Sequence, residues 1–150
     1  MDLILWRHAE ALDGKPDLDR PLTPKGRKQA ARMAAWLRQR LPGRFSVLAS
    51  PARRAQETAR ALGRPCKTIP RLAPGASARD ILGAAEWPTR RGAVVIVGHQ
   101  PELGRTAALL IAGVKASCSV KKGGLWWIAH RVRGGSSQVV VRAVVAPDLL

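Results

Sequence analysis

The stretch LILWRHAEA, residues 3–11, decides how this chain is read. Leu3 to Trp6 form an apolar run that reads as a buried strand, yet the run ends abruptly in Arg7, His8 and Glu10. A strand continuing through the core would not carry a cation and a titratable ring at its end. Unpaired buried charge costs several kcal/mol, or the group changes its protonation state instead. The end of this strand therefore opens onto a site.

A second stretch, AVVIVGHQPELG at residues 93–104, repeats the pattern. A fully apolar strand, Ala93 to Val97, gives way to Gly98-His99. Pro101 then starts a helix whose stripe is Leu103, Ala107 and Leu110. Between the two stretches the chain alternates strand and helix signals with short connections. Thr23 reads as an N-cap with Pro24 at the first helical position, and Ala30, Met33, Ala34, Leu37 and Leu41 follow at helical spacing until Pro42-Gly43. A strand from Phe45 to Ala49 runs into Ser50-Pro51, read as an N-cap and a first-turn proline of a helix reaching about Leu62. A short extended piece spans Lys67 to Ile69. Ser77 with Asp80 resembles a capping box for a helix ending near Trp87-Pro88. After a turn at Lys121 to Gly124, the segments Leu125 to Val132 and Gln138 to Val145 join through Gly134-Gly135, which predicts an antiparallel hairpin.

This alternation predicts an α/β fold: a three-layer sandwich with a mostly parallel central sheet, helices on both faces and an antiparallel C-terminal strand pair. Ligands of such sheets bind beyond the carboxyl ends of the strands. Three strands here end in polar signals, Arg7-His8, Ser50-Pro51 and Gly98-His99, and these ends are expected to converge on one pocket.

Composition bounds the answer. The chain has 150 residues, 46% apolar and 24% charged, which fits a single domain spanning residues 1–150. No apolar run approaches the roughly 18 residues of a membrane span. Acidic Asp2 ahead of a very short apolar run is not a secretory pattern, so the expected address is cytoplasmic. Cys66 and Cys118 lack a C-x-x-C spacing and are expected as small core or loop residues, neither zinc ligands nor a disulfide framework. The net charge of +16 suits acidic partners or polyanions. The arginines, however, are spread from Arg7 to Arg142 with no basic tail. One Phe and no Tyr leave little to stack on bases, so dedicated nucleic-acid binding is not expected.

Two histidines, arginines from the first strand end and the start of the second helix, and a helix N-terminus together suit a phosphoryl group. No carboxylate cluster accompanies them, so neither a metal mechanism nor a cofactor is expected. A histidine acting without a metal is a general base or a nucleophile.

These segments resemble the histidine phosphatase superfamily, with its phosphoglycerate mutase-like fold. The matching pieces are RHAEA at 7–11, RPLTPKG at 20–26, SPARRAQETA at 50–59 and VGHQPELG at 97–104. The short chain, RPLTPKG and GHQP look most like the SixA-type phosphohistidine phosphatases. The resemblance implies that His8 is the nucleophile, that Arg7 and Arg54 clamp the phosphoryl oxygens, and that His99 binds and stabilises the transferring group. Arg20 is expected to border the pocket and contribute to substrate binding. Ala9 stands where the family usually has Gly.

His130 belongs to a late strand without a motif and reads as structural, Arg53 as a solvated helix residue, and Trp126 and Trp127 as sheet packing. Many esterases and mutases of the superfamily carry an acidic proton donor after the second helix. Between Glu57 and Asp80 this chain has no carboxylate. Either Glu10 or Glu102 supplies the acid, or none is needed, because a phosphoramidate leaving group can be protonated on its own nitrogen. The expected function is a metal-independent phosphatase acting through a phosphohistidine intermediate on phosphohistidine in proteins. The expected partner is a phosphorylated protein, such as an acidic phosphohistidine domain, with no membrane partner, and the chain itself is expected to be a monomer. The alternatives are a phosphatase for small phosphate esters or anhydrides and a basic phosphoprotein- or nucleic-acid-binding protein. Intact Arg7, His8, Arg54 and His99 argue against the last.

Overall fold

A computed structural model describes residues 1–150. The elements run β1 (Asp2–Arg7), α1 (Pro24–Arg38), β2 (Phe45–Ala49), α2 (Arg53–Arg60), β3 (Lys67–Thr68), α3 (Ala78–Ala85), β4 (Ala93–Gly98), α4 (Glu102–Ala112), β5 (Leu125–Arg133) and β6 (Ser136–Val145). They build a 6-stranded sheet in the order β3-β2-β4-β1-β5-β6. β3, β2, β4 and β1 are parallel, and β5 and β6 add antiparallel to the far side of β1. The α/β class, the mixed sheet and the C-terminal antiparallel pair agree with the sequence reading.

Strand periodicity sorts the core into two layers. Ile4, Trp6, Val95 and Val97 pack with Met33 and Leu37 of α1 and Ala55 and Ala59 of α2. Their neighbours Leu3, Leu5, Val94 and Ile96 pack on the opposite face with Ile81 of α3 and Leu103 and Ala107 of α4. Because β1 and β4 are covered on both faces, their sequences are continuous apolar runs rather than alternating ones.

The helix starts follow their sequence signals, with one correction. The Thr23 hydroxyl accepts from the Gly26 amide at 2.9 Å, and Ser77 and Asp80 form the reciprocal capping box. Ser50 is not an N-cap: that position falls to Ala52, which offers no side-chain cap, and α2 begins at Arg53. Three residues, Ser50 to Ala52, intervene between the strand end and the helix, and the Ser50 hydroxyl turns toward the site described below.

The register sets out that site. Arg7 pairs with Gly98 across β1 and β4, and Ala49 pairs with Val97 across β2 and β4. The His8 amide donates to the Gly98 carbonyl at 3.0 Å and the Ser50 amide to the Val97 carbonyl at 3.0 Å, so the ladder persists one residue beyond each strand. His8, Ser50 and His99 thus leave three adjacent carboxyl ends side by side. Helix α1 sits directly on the loop that follows β1. A Cβ at Gly26 would lie 1.9 Å from the Glu10 carbonyl oxygen, so only glycine permits this approach. No helix is long and apolar enough to cross a membrane.

Candidate active site

The His8 Nδ1 atom lies 2.7 Å from the Ala9 carbonyl oxygen. A carbonyl can only accept, so Nδ1 carries the proton and the neutral ring keeps its lone pair on Nε2. The Ala9 amide in turn donates to the Thr58 hydroxyl at 3.0 Å, and that hydroxyl donates to the Arg54 carbonyl at 2.7 Å. The peptide that orients His8 is thereby anchored to α2.

Arg54 is 3% exposed and occupies the first turn of α2. Its Nε donates toward His8 Nε2 at 3.3 Å, and its terminal nitrogens reach the Asp17 carbonyl at 2.8 Å and the Asp17 carboxylate at 3.1 Å. One of them also meets His99 Nδ1 at 3.4 Å. A guanidinium has no acceptor, so His99 receives at Nδ1 and donates from Nε2 to the Ser50 hydroxyl at 2.7 Å. Ser50 also accepts from the Ala52 amide at 3.1 Å. The two imidazole centroids are 5.3 Å apart.

Burial, opposed by the Ala9 carbonyl and reinforced by Arg54 and Arg7, depresses the His8 pKa to about 4. Burial, then the charges of His8 and Arg54, depress that of His99 to about 3. Both rings are neutral at physiological pH, the form in which a lone pair can attack phosphorus. Arg7 is tied to the Val120 carbonyl at 2.7 Å, and desolvation lowers its pKa from the ordinary value.

Arg7, His8, Arg54 and His99 line one cavity of about 230 Å³. Arg20 also lines it, held by Asp17 at 3.0 Å and by the Leu12 carbonyl at 3.2 Å. The two carboxylates considered as acids separate. Glu10 lies outside the cavity, with Oε1 accepting from Thr23 at 2.9 Å and Oε2 3.8 Å from Lys25. Glu102 is inside it, 9% exposed; Oε1 accepts from the Gly75 amide at 2.8 Å, and Oε2 is buried without a hydrogen-bond partner. No three His, Cys, Asp or Glu side chains come together as a metal-binding group.

His130 sits away from this cavity, edge-on to Trp87. Arg53 is an exposed partner of Glu57, and Trp127 packs in the core with its indole N–H on Asp2. Sequence reasoning missed Asp17 and Thr58 and misread Ser50. SPARRAQETA contains two of these three, but the polar residues of that motif do not announce which backbone group each one meets.

An α/β sheet whose strand ends hold two neutral histidines between the buried Arg54 and the half-buried Arg7 defines an anion-binding, phosphoryl-transfer class of protein. Residues 3–77 match the sequence profile of the histidine phosphatase superfamily, branch 1. The chain is 36% identical over 120 residues, 74% of either chain, to an uncharacterized protein of Mycobacterium tuberculosis. It is 30% identical over 122 residues to the phosphohistidine phosphatase SixA of Escherichia coli K12, covering 75% of this chain and 76% of that one. A solved structure of the protein histidine phosphatase SixA complexed with tungstate shares the fold, with a TM-score of 0.79, 23% identity and 99% of each chain covered. The chain belongs to the histidine phosphatase superfamily. Within it the chain is of the SixA type, and it is a phosphatase.

Proposed function

We propose that this phosphatase removes phosphoryl groups from phosphohistidine in proteins, with His8 as the nucleophile. The observation that carries this reading is the 2.7 Å contact between His8 Nδ1 and the Ala9 carbonyl, which directs the lone pair on Nε2 toward Arg54. Nε2 attacks phosphorus in line. The substrate P–N bond breaks and its electron pair returns to the departing ring, which leaves as neutral imidazole because the substrate's other ring nitrogen carries a proton. Water then attacks phosphorus, the P–Nε2 bond breaks back onto His8, and the proton of the attacking water leaves with phosphate or solvent. Arg7, Arg54 and His99 meet the charge spread over the equatorial oxygens, which is where preorganised donors act best. Arg20 binds the same oxygens from the cavity wall.

Rapid quench with labelled phosphohistidine protein tests the nucleophile. An acid-labile label is expected on the wild type and none on His8→Ala, and unchanged turnover in that variant would overturn the assignment. The chemistry needs no metal, so turnover is expected to persist in excess chelator. Loss of activity that a divalent ion restores would refute that part.

One observation favours a second reading. Glu102 brings a carboxylate to the cavity, and an acid there would suit small phosphate esters, whose leaving groups need a proton. The two readings part on a substrate panel. Imidazole leaves with a conjugate acid near pKa ~6.5 and a phenolate with one near pKa ~10, so unaided departure predicts phosphohistidine ahead of activated aryl phosphates, then phosphotyrosine, with phosphoserine nearly inert. Efficient phosphoserine hydrolysis that collapses in Glu102→Gln would establish the ester reading instead.

A further inference from the structure

The catalytic cavity, at about 230 Å³, admits a side chain and not a protein surface. A phosphoprotein must therefore rest on its rim. One rim segment leads straight into a second and larger concavity of about 760 Å³ between the start of α3, the end of α4 and the loop after it. Pro74 lines the catalytic cavity and Gly75 lines the groove. Along α4, Glu102 lines the cavity and Arg105, three residues on, lines the groove. The two concavities share a wall.

The groove has a definite chemistry. Arg79, Arg105 and Lys115 line it, no carboxylate does, and none of the three cations forms a salt bridge. Leu109 and Val114, on the same groove, are 39% and 49% exposed. Large apolar side chains left open among unpaired cations fit a partner face that is apolar along its centre and acidic at its edges. We infer that this groove docks the phosphohistidine-bearing protein itself through an acidic, amphipathic segment next to its phosphohistidine. The inference rests on the phosphoprotein reading above, and it assigns the groove the task of holding the substrate body while the cavity takes the side chain.

The test must separate docking from the attraction exerted by a +16 molecule as a whole. The triple variant Arg79→Glu/Arg105→Glu/Lys115→Glu is compared with Arg44→Glu/Arg64→Glu/Lys67→Glu, an equal charge change near the starts of β2 and β3, at residues that do not line the groove. On a phosphohistidine protein the groove variant is expected to lose at least about tenfold in kcat/KM through KM, and the control variant less than about threefold. On an activated aryl phosphate both are expected within about twofold of wild type, because rim contacts do not touch the chemistry. Leu109→Ser/Val114→Ser tests the apolar half without altering charge and is expected to raise KM for the protein alone. Equal losses in the groove and control variants, or an unchanged KM in the groove variants, would overturn the docking assignment while leaving phosphohistidine activity intact. A wild type inert on phosphohistidine proteins would overturn both readings together.

Discussion

Arg54 sets the His99 tautomer by donating to Nδ1, and the Ser50 hydroxyl then accepts the Nε2 proton, as the Ala9 carbonyl accepts the Nδ1 proton of His8. Removing the hydroxyl leaves a buried imidazole N–H and the Ala52 amide without their acceptor, a loss of about 1–3 kcal/mol for each unsatisfied group. Ser50→Ala is therefore expected to lower turnover of an aryl phosphate at least about tenfold, equivalent to about 1.4 kcal/mol at the barrier. Steady-state kinetics checks this, and a nitrogen-15 spectrum of His99 should keep the tautomer that Arg54 imposes while the Nε2 resonance shifts with the loss of its acceptor. Arg7, His8, Arg54 and His99 were legible in the sequence because each stands in a motif at a strand end or just beyond one. Asp17 and Thr58 were not. Their partners lie 37 and 49 residues away, and an Asp in a polar loop or a Thr in a helix carries no local mark of that approach.

At the scale of elements, helix starts were readable because capping is local chemistry, with acceptor and amide only three residues apart at Thr23 and Ser77. The strands β1 and β4 were readable because burial on both faces writes an unbroken apolar run. β6 was harder to bound. As an edge strand it leaves Val139, Val140 and Val141 all partly open, so no period-two pattern marks its ends. Nothing in RPLTPKG says why its glycine is there; the packing of α1 on the Glu10 backbone does. A methyl group at that position must push the helix and the loop after β1 apart. Gly26→Ala is expected to destabilise the protein by on the order of 3 kcal/mol, read as a lower urea midpoint with an unchanged slope.

For the whole molecule, the two depressed histidines link stability to pH. In the unfolded chain both rings titrate near the ordinary value of 6.5, whereas the folded state resists protonation down to about 4 at His8 and about 3 at His99. Above the ordinary value neither state binds a proton, and the pair contributes no pH dependence. As pH falls below it the unfolded state takes up protons that the native state refuses, so stability declines toward about pH 4. Urea melts at about pH 8 and about pH 5 should differ in this direction, and a variant replacing both rings with Asn should show a flatter dependence. The cationic surface acts on encounter instead. Raising ionic strength from about 0.1 M to about 1 M shortens the screening length from about 10 Å to about 3 Å, and should reduce kcat/KM for an acidic protein far more than for an aryl phosphate. Equal losses would show screening inside the cavity.

Arg54 grips the Asp17 carboxylate at 3.1 Å with one terminal nitrogen, while the other donates to the Asp17 backbone carbonyl at 2.8 Å. A tethered anion of this kind is a standing competitor for the reaction's product. In the proposed reaction, phosphate that loosens from the guanidinium would meet a replacement that never diffuses away, so turnover need not stall on the last dissociation step. Asp17→Asn keeps the loop and removes the competing charge. The variant should be inhibited by inorganic phosphate at lower concentrations than the wild type, and inhibition curves for the two proteins would decide it.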